Sequence, residues 1–473
     1  MHAATVRDEP WDGRRHEAKA GRISLSPDRR LQSGLTLALT WLGVLVMFVV
    51  PPPLLTEMGI PYDAPTGGFV FKLHPSTYLL LLAFLIALVE RGNPVRAFGR
   101  SLGHQPAVAF YLFVEVLLIA YSVLRYGFSG AAFFIDSQLV PGILALLLAR
   151  FDLDTLVRLF RFILVVLVVN AILGVGEQLL QERLIPLTVA GGVVLHEDVF
   201  RATALMGHPL ANAAVMGFAL FAFYAVRPPL LRAFLCLLGV VALLSFGGRT
   251  GFAVNVALLL LLVGVDLIGT LRRGESSYRL LTGGTVLALL LLGVVLVAVA
   301  FGGVGQRIIE KLTWDESASV RQVSFTVYRF LTPEQLLFGV SPDEILKLIA
   351  RLGIGSEAAT IENFWIVLSL QLGALFCALF AAGFLVFIVH LDRIGPVALR
   401  FGLFGFVLVA STSNSLSSKT AIFGMVVAIA HGTAAYRLRA AEADEPEPRR
   451  FPYPPTRQRT RSAPYPGPQP RDR

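Results

Sequence analysis

The chain alternates between long apolar runs and short polar connections. Residues 280–301 and 364–389, for example, contain no charged side chain. Each run is long enough to cross a hydrocarbon core of about 30 Å at about 1.5 Å per residue. The pattern predicts apolar segments at 35–55, 69–89, 106–124, 133–149, 156–176, 208–226, 230–246, 250–268, 280–303, 364–390, 395–411 and 419–436. We therefore expect an all-α integral membrane protein, a polytopic bundle of about 12 transmembrane helices.

Polar stretches define the rest of the organisation. Residues 1–33 and the Pro- and Arg-rich residues 437–473 cannot bury a core, so we expect disordered tails on either side of a membrane domain over 34–436. The largest polar connection is 304–363, and a second long one covers 177–207. Long connections of this kind are where function is expected.

The connection 304–363 carries two helix starts. Thr332 and Ser341 are each followed by Pro and then by Gln or Glu at the third position, which is the pattern of an N-terminal cap. After Ser341 an apolar stripe runs to Gly353, where the helix should end. We therefore predict a large loop that is partly helical.

The charges give the bundle a direction. The chain is 55% hydrophobic and 15% charged, with a net charge of +9. Because the basic residues cluster in the tails and in alternate connections, membrane topology explains them and nucleic acid binding is not needed. The connections predicted to be cytoplasmic hold Arg91, Arg96, Arg100, Arg150, Arg158, Arg161, Arg227, Arg232, Arg272, Arg273, Arg279, Arg393 and Arg400. Both termini are thus predicted inside, and 177–207 and 304–363 outside.

Familiar cofactor motifs are missing from the sequence. It has no phosphate-binding loop, no dinucleotide fingerprint and no His-Glu-x-x-His zinc motif. No cluster of His, Cys and carboxylates stands at a metal-binding spacing either. We therefore expect no cofactor and no bound metal.

Several arginines fall on the predicted outer side, against the general bias. They are Arg125, Arg201, Arg249, Arg321 and Arg329. An arginine at a membrane boundary is unfavourable unless it reaches the interface or meets an anion. The guanidinium fork donates two parallel hydrogen bonds to phosphate oxygens, so the set fits a lipid-linked diphosphate. Snorkelling or ordinary salt bridges remain the alternative for any single arginine.

Three short segments place candidate residues beside this diphosphate site. Arg249 stands at the tip of a glycine-rich turn, 245–251, where close approach to a ligand or hairpin geometry alone explains the glycines. Arg201 begins the segment 201–212, which contains His208 and Asn212. His208 could titrate near neutral pH, but a cap at the helix start is the more common role.

The third segment opens the helix after the large loop with Glu362, Asn363 and Trp365. Glu362 could accept a proton from a hydroxyl or simply favour the helix N-terminus. Trp365 could stack on a sugar or anchor the helix at the interface. We count Arg329, Asn363 and Trp365 with His208 and Asn212 as candidate substrate-binding residues.

These segments resemble the O-antigen polymerase and ligase superfamily (Wzy/WaaL-like), in particular its exopolysaccharide-polymerase branch of VpsF type. The resemblance covers roughly residues 160–430. It rests on 201–212, the Ser-x-x-x-Arg-x-Gly turn at 245–251, Ser319-Val320-Arg321, 337–340, and Glu362-Asn363-Phe364 followed by Gly373.

The resemblance implies a metal-independent glycosyltransferase with a GT-C-like fold in the bacterial inner membrane. Its donor would be an oligosaccharide on undecaprenyl diphosphate, attacked by an acceptor sugar hydroxyl on the periplasmic face. Arg201, Arg249 and Arg321 would stabilise the leaving diphosphate, and Glu362 would be the candidate base. The resemblance leaves open whether a chain-length regulator and other polysaccharide-export proteins bind.

Three alternatives remain at this stage. Ligases of the superfamily often carry His where Glu362 stands, which weakens a ligase that uses lipid A-core as its acceptor. A transporter or flippase of the lipid-linked glycan would show charges at mid-membrane and an internal repeat; Glu115 is the clearest such charge, and no repeat is visible. A metal-using glycosyltransferase would rely on Glu57 or Asp63 in the first outer loop.

Overall fold

The protein is a helical membrane protein with several membrane-spanning segments. The structure, a computed structural model, describes residues 33–62, 68–189, 193–194, 200–272, 293, 323–352, 361, 363–413, 416 and 419–444. The tails up to residue 32 and from 445, the apolar segment 280–303 apart from residue 293, and the first part of the large loop lie outside the described residues.

The longer helices follow the apolar pattern, with short helices between them. They are α1 (Gly34–Val49), α2 (Pro52–Glu57), α3 (Pro75–Val89), α4 (Pro94–His104), α5 (Pro106–Tyr126), α6 (Phe128–Phe134), α7 (Val140–Leu148), α8 (Leu153–Leu180), α9 (Pro209–Tyr224), α10 (Pro229–Phe246), α11 (Arg249–Arg272), α12 (Pro333–Phe338), α13 (Pro342–Arg351), α14 (Phe364–Ile394), α15 (Val397–Ser411) and α16 (Ile422–Asp444). A π-helix, Ile135–Leu139, joins α6 to α7. Two short strands, Thr188–Val189 and Val193–Val194, pair antiparallel.

Helix starts are encoded locally. Many of the helices begin with Pro, whose fixed φ suits the first turn and whose missing N–H needs no partner there. The two helix starts predicted in the large loop are confirmed. The Thr332 side chain accepts from Gln335 N–H, Gln335 bonds back to Thr332, and Ser341 accepts from Glu344 N–H. The second helix ends at Arg351, and Gly353 lies outside the described residues.

Among the described residues, six helices are long and apolar enough to cross a membrane, and the bent pair α3–α4 adds a seventh. Three further apolar helices, α1, α9 and α15, are shorter. A helix covers most of each predicted segment except 280–303, of which the structure describes only residue 293. Helix α16 continues to Asp444, beyond the predicted boundary at 436.

The helices pack mainly in antiparallel pairs. Gly43 of α1 lies against Leu80 of α3, where a Cβ would come within 2.8 Å of the leucine. Helix α5 runs along α14, with Tyr111 stacked on Phe387 at 4.4 Å and Tyr121 on Phe376 at 3.9 Å. Helix α9 is buried along nearly its whole length and forms the centre of the bundle.

Helix α14 is not one straight rod. Gly373 has φ 75° and ψ 168°, which breaks the helix into arms at 364–372 and 374–394. Phe364 lies 5.8 Å from Phe380, ring centroid to ring centroid, although a continuous helix would separate them by about 24 Å. The predicted crossing 364–390 is therefore a hairpin, in which the second arm spans and the first arm returns beside it.

The two ends of the bundle differ. One end, which we call the basic end, carries Arg91, Arg96, Arg100, Arg150, Arg227, Arg232, Arg393, Arg400, Arg437 and Arg439. At the opposite end several helices stop early. Helices α1, α3, α9 and α15 have 15 or 16 residues, which gives about 22–24 Å against a core of about 30 Å. They end beside the longer helices α5, α8 and α14, and we call this end of the bundle the recessed end.

Candidate functional site

Direct contacts join the early-ending helices into one polar layer at the recessed end. The ring of His74 bonds Val50 O at 2.7 Å, and a Cβ on Gly207 would come within 3.1 Å of Pro51 and Pro53. Trp365 Nε1 donates to Ser411 Oγ at 2.8 Å. The ends of α1, α3, α9, α14 and α15 are therefore neighbours, although they are far apart in sequence.

Arg201 lies across the glycine-rich turn that precedes Arg249. A Cβ on Gly247 would meet Arg201 Cγ at 2.9 Å, so only glycine leaves room for the arginine stem. Ala202 N–H donates to Ser245 O at 3.1 Å and fixes the register of the two segments. Gly247 has φ 65° and ends α10, and α11 begins at Arg249 two residues later. The structure thus brings the two sequence-predicted arginines to the same corner.

A buried carboxylate holds the segment after Arg201. Glu177 of α8 is 6% exposed and accepts from Leu184 N–H, Thr203 N–H and Ala204 N–H at 2.7, 2.7 and 2.9 Å. Ala204 has φ 39°, a strained conformation for a residue with a Cβ. Three charge-assisted hydrogen bonds therefore offset strain next to a candidate ligand arginine.

Asn212 supports the same segment from the other side. Its amide nitrogen donates to Thr203 O and to His208 O, and its oxygen accepts from Asn170 Nδ2 at 2.9 Å. Asn170 Oδ1 in turn accepts from Leu205 N–H at 3.0 Å. Because every hydrogen of the Asn212 amide is used inside the protein, its place in the structure is that of a support for the Arg201 segment.

His208 caps the start of α9. Its Nδ1 accepts from Leu210 N–H at 3.2 Å, so the proton of the neutral ring sits on Nε2. Desolvation and the neighbouring Arg201 guanidinium lower the pKa of His208 to about 4. The side chain nevertheless exposes surface. The imidazole beside Arg201 is therefore neutral at pH 7.

The remaining predicted residues fall in different places. Arg329 is exposed on the 3-10 helix Phe325–Phe330, and nothing in the described part of the chain joins it to Arg201 or Arg249. Arg125 donates to Gly339 O at 3.1 Å and ties α5 to the large loop. Arg321, Glu362 and Asp63 lie outside the described residues, and Glu57 is exposed at the end of α2.

Asn363 and Trp365 stand at the start of the returning arm. Asn363 Oδ1 accepts from Ile366 N–H at 3.1 Å and caps the helix. The Trp365 ring packs 6.2 Å from Phe380 and 6.3 Å from Phe384, ring centroid to ring centroid. Because these phenylalanines lie two to three turns down the spanning arm, Trp365 lies beside the middle of that arm.

A second polar group surrounds Asp136. This residue is 4% exposed on the π-helix and accepts from Tyr62 Oη, His74 N–H and Thr77 Oγ1 at 2.9, 2.9 and 2.7 Å. Lys419 places its ammonium 3.9 Å from the centroid of the Tyr62 ring and donates to Tyr62 O and Lys72 O. π-Helical turns of this kind occur frequently at functional sites.

Sequence reasoning missed Glu177, Asn170 and the Asp136 group. Glu177 and Asn170 are seven residues apart in an apolar run, so they share one face of α8, and polar residues inside a span are a functional signal. Asp136 lies near the start of the predicted apolar segment 133–149, but nothing in the sequence marks it as part of a site. No signal in the sequence pairs Asp136 with Lys419, because the two are far apart in the chain.

No protein-family model, curated protein or solved structure matches this chain.

Proposed function

We propose that the protein is a polysaccharide polymerase that transfers a glycan from a lipid-linked diphosphate, undecaprenyl diphosphate, to the hydroxyl of an acceptor sugar. The observation that carries the proposal is the corner where Arg201 crosses Gly247 beside Arg249. Arg201, beside the segment that Glu177 holds, and Arg249, at the start of α11, suit a diphosphate leaving group whose charge grows as the glycosidic bond breaks.

The charge distribution supports an orientation for this reaction. The basic end of the bundle follows the positive-inside rule for a cytoplasmic surface. The recessed end then opens to the opposite side of a bacterial inner membrane, where a lipid-linked glycan would present its diphosphate near the headgroup level. We propose that both termini lie in the cytoplasm and that a GT-C-like bundle of 12 crossings includes the segment 280–303.

A glycosyl transfer needs groups that bind the leaving diphosphate, groups that stabilise its charge, and a base for the attacking hydroxyl. The described residues offer candidates for the first two. Arg201 and Arg249 would bind and stabilise the diphosphate, and neutral His208 would donate a hydrogen bond beside them. Glu362 stays the proposed base that accepts the proton of the attacking hydroxyl, and Arg321 a proposed third cation. No step of this reaction requires a metal ion.

Purified protein in lipid vesicles with isolated lipid-linked repeat units tests the proposal. Arg201→Ala and Arg249→Ala should each lower the rate of polymer formation at least about tenfold, as expected when a preorganised donor is removed. Arg351→Ala, on the exposed end of α13, is the matched control and should leave the rate unchanged. Wild-type rates in both arginine variants, at equal folded protein, would reject the proposal. Glycan transferred to lipid A-core instead of a repeat unit would indicate a ligase.

One observation favours a second candidate, a flippase for the lipid-linked glycan. Glu177, Asp136 and Lys419 put charged groups at membrane depth, as transporters do. Fixed hydrogen bonds from backbone and hydroxyl groups already satisfy both carboxylates, which suits a rigid scaffold better than a moving gate. Vesicles that translocate a labelled lipid-linked glycan without extending it would favour the flippase.

A further inference from the structure

Helix α4 turns sharply away from α3 at the basic end of the bundle. The axes of the two helices differ by 108° across the short break between them, so α4 runs nearly at right angles to α3. Asn93 starts the new helix, because its Oδ1 accepts from Arg96 N–H at 3.0 Å and Pro94 follows it. Since α3 is the apolar member of the pair, α4 lies close to the plane of the membrane when α3 crosses it.

Arg150 holds this angle. Its guanidinium donates to Ala87 O of α3 at 3.3 Å and to Ser101 Oγ of α4 at 2.5 Å, and it lies 5.8 Å from the centroid of the Phe84 ring. The rings of Phe84 on α3 and Phe98 on α4 also pack edge to face, 6.1 Å apart between centroids. Contacts within the protein therefore fix the direction of α4.

The break between α3 and α4 lies at a boundary of the bundle. Glu90, the residue after α3, accepts from Thr36 Oγ1 of α1 at 3.2 Å and from Ser33 Oγ. Ser33 is also the cap residue at the start of α1. One helix thus begins where its neighbour ends, as expected at the edge of the hydrocarbon core, and α4 starts at the same level.

The side chains of α4 divide into an apolar and a basic face. Val95 and Phe98, three residues apart on one face, are 77% and 39% exposed. Arg96 and Arg100 are exposed one turn apart on the opposite face. Ala97 is fully buried, so the side of the helix between these faces packs on the bundle. Exposed apolar residues beside basic ones are typical of a helix that lies in a membrane interface.

Positive charge gathers around the break. Burial, and then the neighbouring Arg91 guanidinium, lower the pKa of Arg150 to about 10 from an ordinary value of 12.5. The acidic group Glu90 acts in the opposite direction on Arg150, but its carboxylate already accepts from two hydroxyl groups. An anion beside Arg91 and Arg96 would therefore reduce the repulsion between like charges.

We propose that α4 lies in the membrane interface at the basic end and binds an anionic phospholipid. Arg91 and Arg96 bind the phosphate of the lipid, and its acyl chains pack on Val95 and Phe98. A phospholipid carries its phosphate directly above its acyl chains, which matches the order of the two faces of α4. An acidic protein surface would match the arginines but not the exposed apolar face. The inference does not depend on the proposed polymerase activity.

Quenching of a tryptophan by brominated lipids tests this site in the full-length protein, reconstituted in phosphatidylcholine nanodiscs. Lipids with brominated acyl chains should quench Val95→Trp, after the signal of wild-type protein is subtracted. Brominated phosphatidylglycerol should quench at least about threefold more than brominated phosphatidylcholine at the same mole fraction, because one arginine beside an anionic headgroup contributes about fivefold to binding.

Two arginine variants in the Val95→Trp protein separate this site from the general charge of the bundle. Arg96→Gln should remove most of the preference for phosphatidylglycerol. Arg272→Gln, which removes an exposed arginine at the end of α11, should keep it. Leu385→Trp, 62% exposed on α14, should be quenched equally by both lipids.

Two results in folded, monodisperse protein would overturn the headgroup site. They are equal quenching of Val95→Trp by the two lipids, and an unchanged preference in the Arg96→Gln variant. Absence of quenching by either lipid would overturn the interfacial position of α4, because something other than lipid, such as a partner protein, would then cover Val95.

Discussion

Gly339 of the large loop and Gly373 of α14 cross with their backbones in direct contact. A Cβ on Gly339 would lie 2.5 Å from Gln371 O, and one on Gly373 would lie even closer to Leu337 O. Both residues also have φ near +75° and ψ near 180°, a region that is essentially restricted to glycine and costs a residue with a Cβ about 1–3 kcal/mol. We therefore expect Gly373→Ala and Gly339→Ala each to lower the free energy of unfolding by at least about 2 kcal/mol, seen as a lower thermal midpoint in detergent.

Gly99→Ala is the matched control for this pair. Gly99 lies within α4, and a Cβ there meets nothing within 4 Å. Alanine is the better helix former, so this change should leave the midpoint unchanged or raise it slightly. If Gly373→Ala unfolds at the same temperature as Gly99→Ala, the loop does not cross the hairpin in this way.

The hairpin of α14 makes a prediction about distance. Phe364→Cys and Phe380→Cys should be joined by a bifunctional maleimide of about 8 Å, because the rings are neighbours in the hairpin, whereas a straight helix would hold them about 24 Å apart. Intramolecular linkage is read by mass spectrometry after digestion. The pair Phe364→Cys and Leu385→Cys is the control, since Leu385 is 62% exposed on the opposite surface of the arm. A straight helix would hold both pairs too far apart, so absence of linkage between Phe364→Cys and Phe380→Cys would exclude the hairpin.

The sequence predicts the local features of the fold but not the contacts between residues that are far apart in the chain. Apolar length and N-terminal caps predict the helices, and the Thr332 and Ser341 caps lie where the pattern places them. The run 364–390 reads as one crossing because hydropathy does not register a backbone turn at a single glycine. Glu177 bonds residues far along the chain, a pairing that no local pattern encodes. The sequence identifies Arg201 and Arg249 as candidates. It does not predict that Glu177 holds a strained backbone beside Arg201.

His74 gives the stability of the fold a pH dependence. It is 3% exposed, its ring bonds Val50 O, and burial lowers its pKa to about 4 from an ordinary value of 6.5. Between pH 4 and pH 6.5 the unfolded chain binds a proton at this ring and the folded protein does not. The contribution of His74 to the free energy of unfolding is therefore fully present above pH 6.5 and falls as the pH drops toward 4. The loss from this group alone reaches about 3 kcal/mol.

His74→Asn isolates this contribution, because asparagine keeps an acceptor for Ser76 N–H but does not titrate. Thermal midpoints measured from pH 4 to 7.5 should fall less steeply toward acid for this variant than for the wild type. His104→Asn, at the exposed end of α4, should show the wild-type slope. Parallel curves for wild type and His74→Asn would mean that His74 is not buried as a neutral ring.

Glu177 connects the fold to the proposed site most directly, because its carboxylate bonds the strained backbone that carries Arg201. Glu177→Gln replaces one accepting oxygen with a donor, so at least one of the three N–H groups loses its partner, at a cost of about 1–3 kcal/mol. As the segment relaxes, Arg201 should leave its place on Gly247, and polymer formation should fall at least about tenfold. Glu182→Gln, exposed just after α8, should change neither the midpoint nor the rate. A Glu177→Gln protein that loses stability but keeps full activity would contradict this prediction. It would show that the position of Arg201 does not depend on the hydrogen bonds that Glu177 accepts.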